Sequence, residues 1–140
     1  MKLPVHPAKQ LLEAYQAAYN QRDLEKTLAL FAKKAFLWGT GIDETLSGLL
    51  EIEAQHKRDW TQSEKSELIL TSPIHVSFGN LTWAAAVYTA KIQLPNGLSL
   101  VENLRGTITV EQEAGVWKIS HMHASFPDAR QKEGQSFPHK

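Results

Sequence analysis

His121, His123 and Ser125 occupy alternate positions in the segment HMHASFP. An extended strand would present all three on one side. Two imidazoles at that spacing can chelate a metal, move protons near neutral pH, or serve as hydrogen-bonded polar atoms of a pocket or sheet. A metal would need a third ligand, with Asp43, Glu44 and His56 as the available donors, and no spacing in the sequence commits one of them. The expectation is a site without metal or other cofactor, with His121 also kept as a candidate for proton transfer. Arg105 lies in a strand-like run with Asn103, Thr107 and Thr109 on its face. A buried arginine needs a partner, either Asp43 or Glu44 in a salt bridge or a carboxylate on a ligand. Asp43 and Glu44 follow a glycine-rich turn. They are candidates for a general base, in competition with solvated loop charges or helix caps. Trp38, Trp60 and Trp83 read mostly as core, although an indole also lines ligand pockets.

Elements that would position these residues follow from periodicity. Pro7 suits a first helical turn, and Leu11, Leu12, Tyr15 and Tyr19 continue at helical spacing to Asn20. Asp23 can cap a second, short helix with Leu24, Leu28 and Phe31 on one face. AFLWGTGIDETLSG reads as a strand followed by a turn at Gly39 and Gly41. Ser47 is expected to cap a third helix whose stripe is Leu49, Ile52, His56 and Trp60, with Glu53 and Lys57 paired outside. From Ser66 onward the pattern is strands: SELILTSPIHVSFG, as one strand or two split near Pro73, then LTWAAAVYTAKIQL, a hairpin at PNG, LSLVENLRGTITVEQEA, and VWKISHMHASF. Three helices followed by a strand meander define an α+β domain with a curved antiparallel sheet. One domain over residues 1–127 and a polar, loose tail over 128–140 are expected.

The 140 residues are 42% apolar and 21% charged, which is globular composition, and fifteen basic residues balance fifteen acidic ones. No net field favours nucleic acid or an anionic membrane as partner. Without cysteine, thiolate nucleophiles and cysteine zinc sites are excluded. MKLPVHPAKQ has no apolar h-region and no run reaches membrane-span length, so a cytoplasmic location is expected. Along Leu81 to Ile92 both strand faces are apolar. Helices can cover one face, and a second copy of the chain is the simplest cover for the other.

The order helix-helix-strand, GTGIDE (Gly39 to Glu44), a helix containing RDW, and the closing RGTITVEQEAGVWKISHMHASFP resembles the SnoaL-like branch of the nuclear transport factor 2-like superfamily over roughly Ala8 to Pro127. The resemblance implies a cone: a strongly bent sheet wrapped around three N-terminal helices, with a pocket inside and commonly a homodimer on the outer sheet face. It also implies several functions on one fold, among them ketosteroid isomerases, polyketide cyclases, dehydratases, the association domain of calcium/calmodulin-dependent kinase and transport adaptors. Tyr15 falls where the isomerase carries a catalytic tyrosine. Gly39 falls where it carries its aspartate base, and a glycine cannot abstract a proton, so steroid isomerisation is not expected. Histidines like His121 and His123 line the kinase domain's pocket without chemistry.

The sequence therefore leads to a homodimeric domain binding a small organic molecule in a partly apolar pocket containing Arg105, His121, His123, Tyr15, Trp38, Trp60 and Trp83. The His121/His123 face is expected to look inward. Two other readings stand beside it: a cofactor-independent isomerase, dehydratase or cyclase acting on a carbonyl compound, and a non-catalytic dimerisation module.

Overall fold

The computed structural model describes residues 5–138. The first four residues of the expected domain and the last two of the expected tail lie outside the described residues. Pro7 opens α1 (Pro7–Asn20) as its first residue, where its missing N–H costs nothing. Asp23 caps α2 (Leu24–Ala29) by accepting from the Lys26 N–H at 2.9 Å. The helix ends sooner than its periodicity suggests: Phe31 begins β1 (Phe31–Trp38), where it is buried and paired with Ile119. Ser47 does not cap α3 (Leu49–Thr61). It belongs to the short strand β2 (Thr45–Ser47), and Gly48, with φ +84°, is the residue before the helix. Glu51 completes the junction by accepting from the Ser47 N–H at 3.0 Å. Ile52 and His56 form the buried stripe, and Glu53 pairs with Lys57 at 3.4 Å.

Strands complete the molecule: β3 (Lys65–Leu70), β4 (His75–Val76), β5 (Trp83–Leu94), β6 (Gly97–Glu113) and β7 (Val116–Ser125). Pro73 does split the first apolar run in two. Tight two-residue turns, Pro95-Asn96 and Ala114-Gly115, join β5 to β6 and β6 to β7. Ala114 and Gly115 both have positive φ, as a hairpin turn that follows the strand twist requires. The sheet runs β2-β1-β7-β6-β5-β3, with β4 on β5. All pairings are antiparallel except β1 with β7, which is parallel. The curved sheet wraps around the helices, and its inner face carries the core: Leu37, Ala86, Ile108, Val110, Ile119 and Met122 against Leu12 and Ile52. Among the described residues no helix is long and apolar enough to cross a membrane.

One irregularity decides which way the sequence-predicted site faces. In β6–β7, Val110 pairs with Ile119 but Thr109 pairs with His121, so Ser120 is an extra, bulged residue. An inserted residue exchanges the faces of everything beyond it. Trp117 and Ile119 pack into the core, whereas His121 and His123 point to the outer face. The Ser120 hydroxyl, 2.9 Å from that of Thr109, ties down the bulge.

Candidate functional site

Between α1, α3 and the inner sheet face lies a cavity of about 350 Å³. Its sheet wall is apolar, with Ala90, Ile92, Leu104, Ile108 and Met122, and Tyr88 among them. Its helical wall is polar. Tyr15 and Tyr19 sit one turn apart on α1, and Gln55, His56 and Asp59 share a face of α3 at three- and four-residue spacings. Glu44 joins them from the turn after β1. That turn explains the glycines of GTGIDE. A Cβ on Gly39 would stand 3.0 Å from the Glu44 side chain, and Gly41 lies as close, with its N–H donating to Glu44 Oε2. The glycines let the carboxylate fold back and reach the cavity.

The polar groups form two connected sets. Tyr19 donates to Asp59 Oδ2 at 2.8 Å, and Gln55 Nε2 donates both to Asp59 Oδ1 at 2.7 Å and to Glu44 Oε1 at 2.6 Å. Beside them, His56 Nδ1 lies 2.7 Å from the Ile52 carbonyl and Nε2 lies 2.8 Å from the Tyr15 hydroxyl. A carbonyl oxygen only accepts, so Nδ1 carries the ring proton. Burial holds His56 below the ordinary histidine pKa, against weaker opposite pulls from the Ile52 bond and Asp59. The neutral ring then leaves Nε2 bare, and Tyr15 donates to it. Burial foremost, then the neighbouring Tyr19 and the Asp59 and Glu44 carboxylates, raise the Tyr15 pKa well above its usual value. Burial and Asp59 do the same to Tyr19. Both phenols stay protonated at neutral pH. Arg22 stabilises the far end by donating to the Trp60 and Ser63 carbonyls at 2.8 and 3.0 Å, where the end of α3 leaves carbonyls unpaired.

Several expected site residues are elsewhere. His121, His123 and Arg105 do not line this cavity. All three lie on the outer sheet face: the Ser120 bulge turns His121 and His123 there, and Arg105 is there by the alternation of β6, whose Leu104, Ile108 and Val110 face inward. His121 donates from Nδ1 to the Phe36 carbonyl at 2.7 Å and stacks on the Phe36 ring. Arg105, exposed and paired across the sheet with Val87 and Ser125, has no contact with Asp43 or Glu44. Trp83 is 39% exposed on the same outer face. Trp60 stands behind the cavity, its ring 5.6 Å from those of Tyr19 and His56. Asp43 is outside, held by Arg58 at 2.8 Å, which keeps its carboxyl below the usual range. Tyr15 and Glu44 are in the cavity wall, and Trp38 reaches its rim while its ring packs 5.4 Å from that of His123. Asp59, Gln55 and Tyr19 were not foreseen. The spacing of Gln55, His56 and Asp59 on one helical face was the available signal. Among the described residues no three His, Cys, Asp or Glu side chains converge as a metal site would require.

A bent sheet closed around three helices over an internal cavity is the cone architecture of the nuclear transport factor 2-like and cystatin-like proteins. Residues 8–129 match the SnoaL-like domain family, and the chain belongs to it. Among solved structures, a Δ5-3-ketosteroid isomerase from Mycobacterium sp. is 20% identical, with 88% of this chain and 95% of that one covered at a TM-score of 0.70. A nuclear transport factor 2-like protein of unknown function from Pseudomonas putida KT2440 is 17% identical over 94% and 92%, at 0.66. A protein with a cystatin-like fold from Caulobacter vibrioides is 19% identical over 86% and 87%, at 0.66. At these identities the likeness is one of fold. No curated protein matches the sequence.

Proposed function

We propose that this chain binds a small, largely apolar organic molecule inside the cone, and that it does so as a homodimer paired through the outer sheet face. The observation that carries the reading is the division of the cavity into an apolar sheet wall and one polar end formed by Tyr15, Tyr19, Gln55 and Asp59. Ligand sites have this composition: mostly apolar surface for affinity and a few placed polar atoms for orientation. A module working only through its surface would fill such a space with side chains, because empty volume forfeits contact energy. The test uses 2-naphthol as a neutral probe. One molecule should bind saturably per chain, and Ala90→Phe, which fills the cavity, should abolish binding without unfolding the protein. Binding that survives Ala90→Phe would place the probe elsewhere and sink the proposal.

A second reading is cofactor-independent isomerisation, dehydration or cyclisation of a carbonyl compound, the class to which the ketosteroid isomerase of the same fold belongs. Asp59 favours it, as a carboxylate on the cavity wall in no ion pair among the described residues. Such chemistry also needs a donor for the developing oxyanion. The phenol protons beside Asp59, those of Tyr15 and Tyr19, are directed at His56 and Asp59 instead, and the Tyr88 hydroxyl, unpartnered among the described residues, stands on the sheet wall. Binding is therefore the better-supported function.

A further inference from the structure

The hydrogen bonds at the polar end of the cavity restrict what its ligand can be, given that the cavity is the binding site. The Tyr15 proton goes to His56, the Tyr19 proton to Asp59, and both protons of the Gln55 amide to Glu44 and Asp59. Every proton of this cluster is already donated within it, so what remains for a ligand are lone pairs on phenol, amide and carboxylate oxygens. The charge has one sign as well. Two carboxylates, Glu44 and Asp59, line the cavity, and no lysine or arginine among the described residues does. Arg58 is engaged with Asp43 at 2.8 Å and approaches Glu44 at 3.8 Å, which offsets that carboxylate from outside. Arg22 is directed at neutral oxygens of Trp60, Ser63 and Ser66. Among the described residues Asp59 has only neutral side-chain donors, Tyr19 and Gln55, although it is half-buried. A second, independent feature lies on the sheet wall. Tyr88, 4% exposed, lines the same cavity, and its hydroxyl has no hydrogen-bond partner among the described residues.

From this arrangement we infer that the cavity takes an organic cation: an apolar skeleton bearing a protonated amine that pairs with Asp59 among the tyrosine rings. An ammonium group supplies only donors, which suit the lone pairs left at the polar end and one on the unpartnered Tyr88 hydroxyl, and its charge is the counter-ion that Asp59 lacks. The electron-rich faces of Tyr15 and Tyr19 favour the same charge. An anionic ligand would put like charges together beside Glu44 and Asp59, and so would be rejected.

Three probes with one skeleton separate the alternatives: 2-phenylethylamine, 2-phenylethanol and phenylacetate, titrated into the intact protein near pH 7 by calorimetry and by NMR of the tyrosine rings. The amine is expected to bind about tenfold or more tighter than the alcohol, as one charge-assisted hydrogen bond would give, and phenylacetate not to bind. Asp59→Asn, which keeps the shape of the side chain, should remove the advantage of the amine and leave the alcohol unchanged. Equal affinity for amine and alcohol, or a preference for phenylacetate, overturns the charge assignment while leaving the cavity a binding site. If none of the three shifts the Tyr15 and Tyr19 resonances at millimolar concentration, the binding reading fails along with it. The wild-type comparison stands even if the Asp59 variant is too unstable to use.

Discussion

The Tyr15 hydroxyl has a single proton, and His56 receives it. Tyr15→Phe removes that donor and leaves His56 Nε2 buried without a partner, which costs about 1–3 kcal/mol. Urea denaturation of the variant against wild type should show a loss of that size, and an unchanged midpoint would mean that the pair is not formed. The same site makes stability depend on pH. The folded-state pKa of His56 lies below its unfolded value. Below the unfolded value, about 6.5, the unfolded chain takes up a proton that the folded one resists. The stabilisation is thus present above about pH 6.5 and lost as pH falls towards the folded pKa. The urea midpoint should drop between pH 7.5 and 5.5, and the drop should be smaller in His56→Gln. An equal drop in both proteins would assign the effect to other groups.

At the scale of elements, the turn between β1 and β2 shows how a glycine pair serves an acidic residue several positions away. Gly41→Ala places a methyl group against Glu44, forcing the carboxylate off Gln55. Overpacking of this kind costs about 1–3 kcal/mol. Most of that cost should vanish in a Glu44→Ala background, where the clash has no partner. A double-mutant cycle read by thermal denaturation should therefore give a coupling of about 0.5–3 kcal/mol. Additive effects would show that the glycine serves the backbone alone. The sequence made the turn visible through Gly39 and Gly41, but not its purpose, because nothing local says that Glu44 folds back to meet Gln55, eleven residues on.

For the whole molecule, the outer sheet face is the exposed feature that a partner would cover. Trp38 is 46% exposed there and Trp83 39%, with Val87 and Arg105 between strands. Sedimentation equilibrium at micromolar concentration should give twice the 15.7 kDa chain mass. Val87→Glu, which sets a charge at the centre of that face, should yield a folded monomer. A wild-type monomer under these conditions would remove the proposed pairing and leave the aromatic face unexplained.

What the sequence determined by itself is everything that depends on neighbours a few positions apart. Apolar spacing of 3.6 gave α1 and α3, Asp23 capped α2, and the turn residues Pro95-Asn96 and Ala114-Gly115 set the hairpins. The motifs Gly39 to Glu44 and Arg105 to Ser125 sufficed to point to the family that residues 8–129 match. The tertiary structure decided what depends on contacts distant in the chain. Counting by twos along VWKISHMHAS puts Trp117, Ile119, His121 and His123 on one face. That count holds only for an unbroken ladder, and the extra residue at Ser120 is visible only once Thr109 and Val110 have chosen their partners. The histidines consequently turned outward. The acceptor-rich end of the cavity likewise exists only when α1, α3 and the turn after β1 meet, because hydrogen bonds such as Tyr19 to Asp59 join residues forty positions apart. No window along the chain contains both partners, and packing of the helices into the curved sheet brings them together.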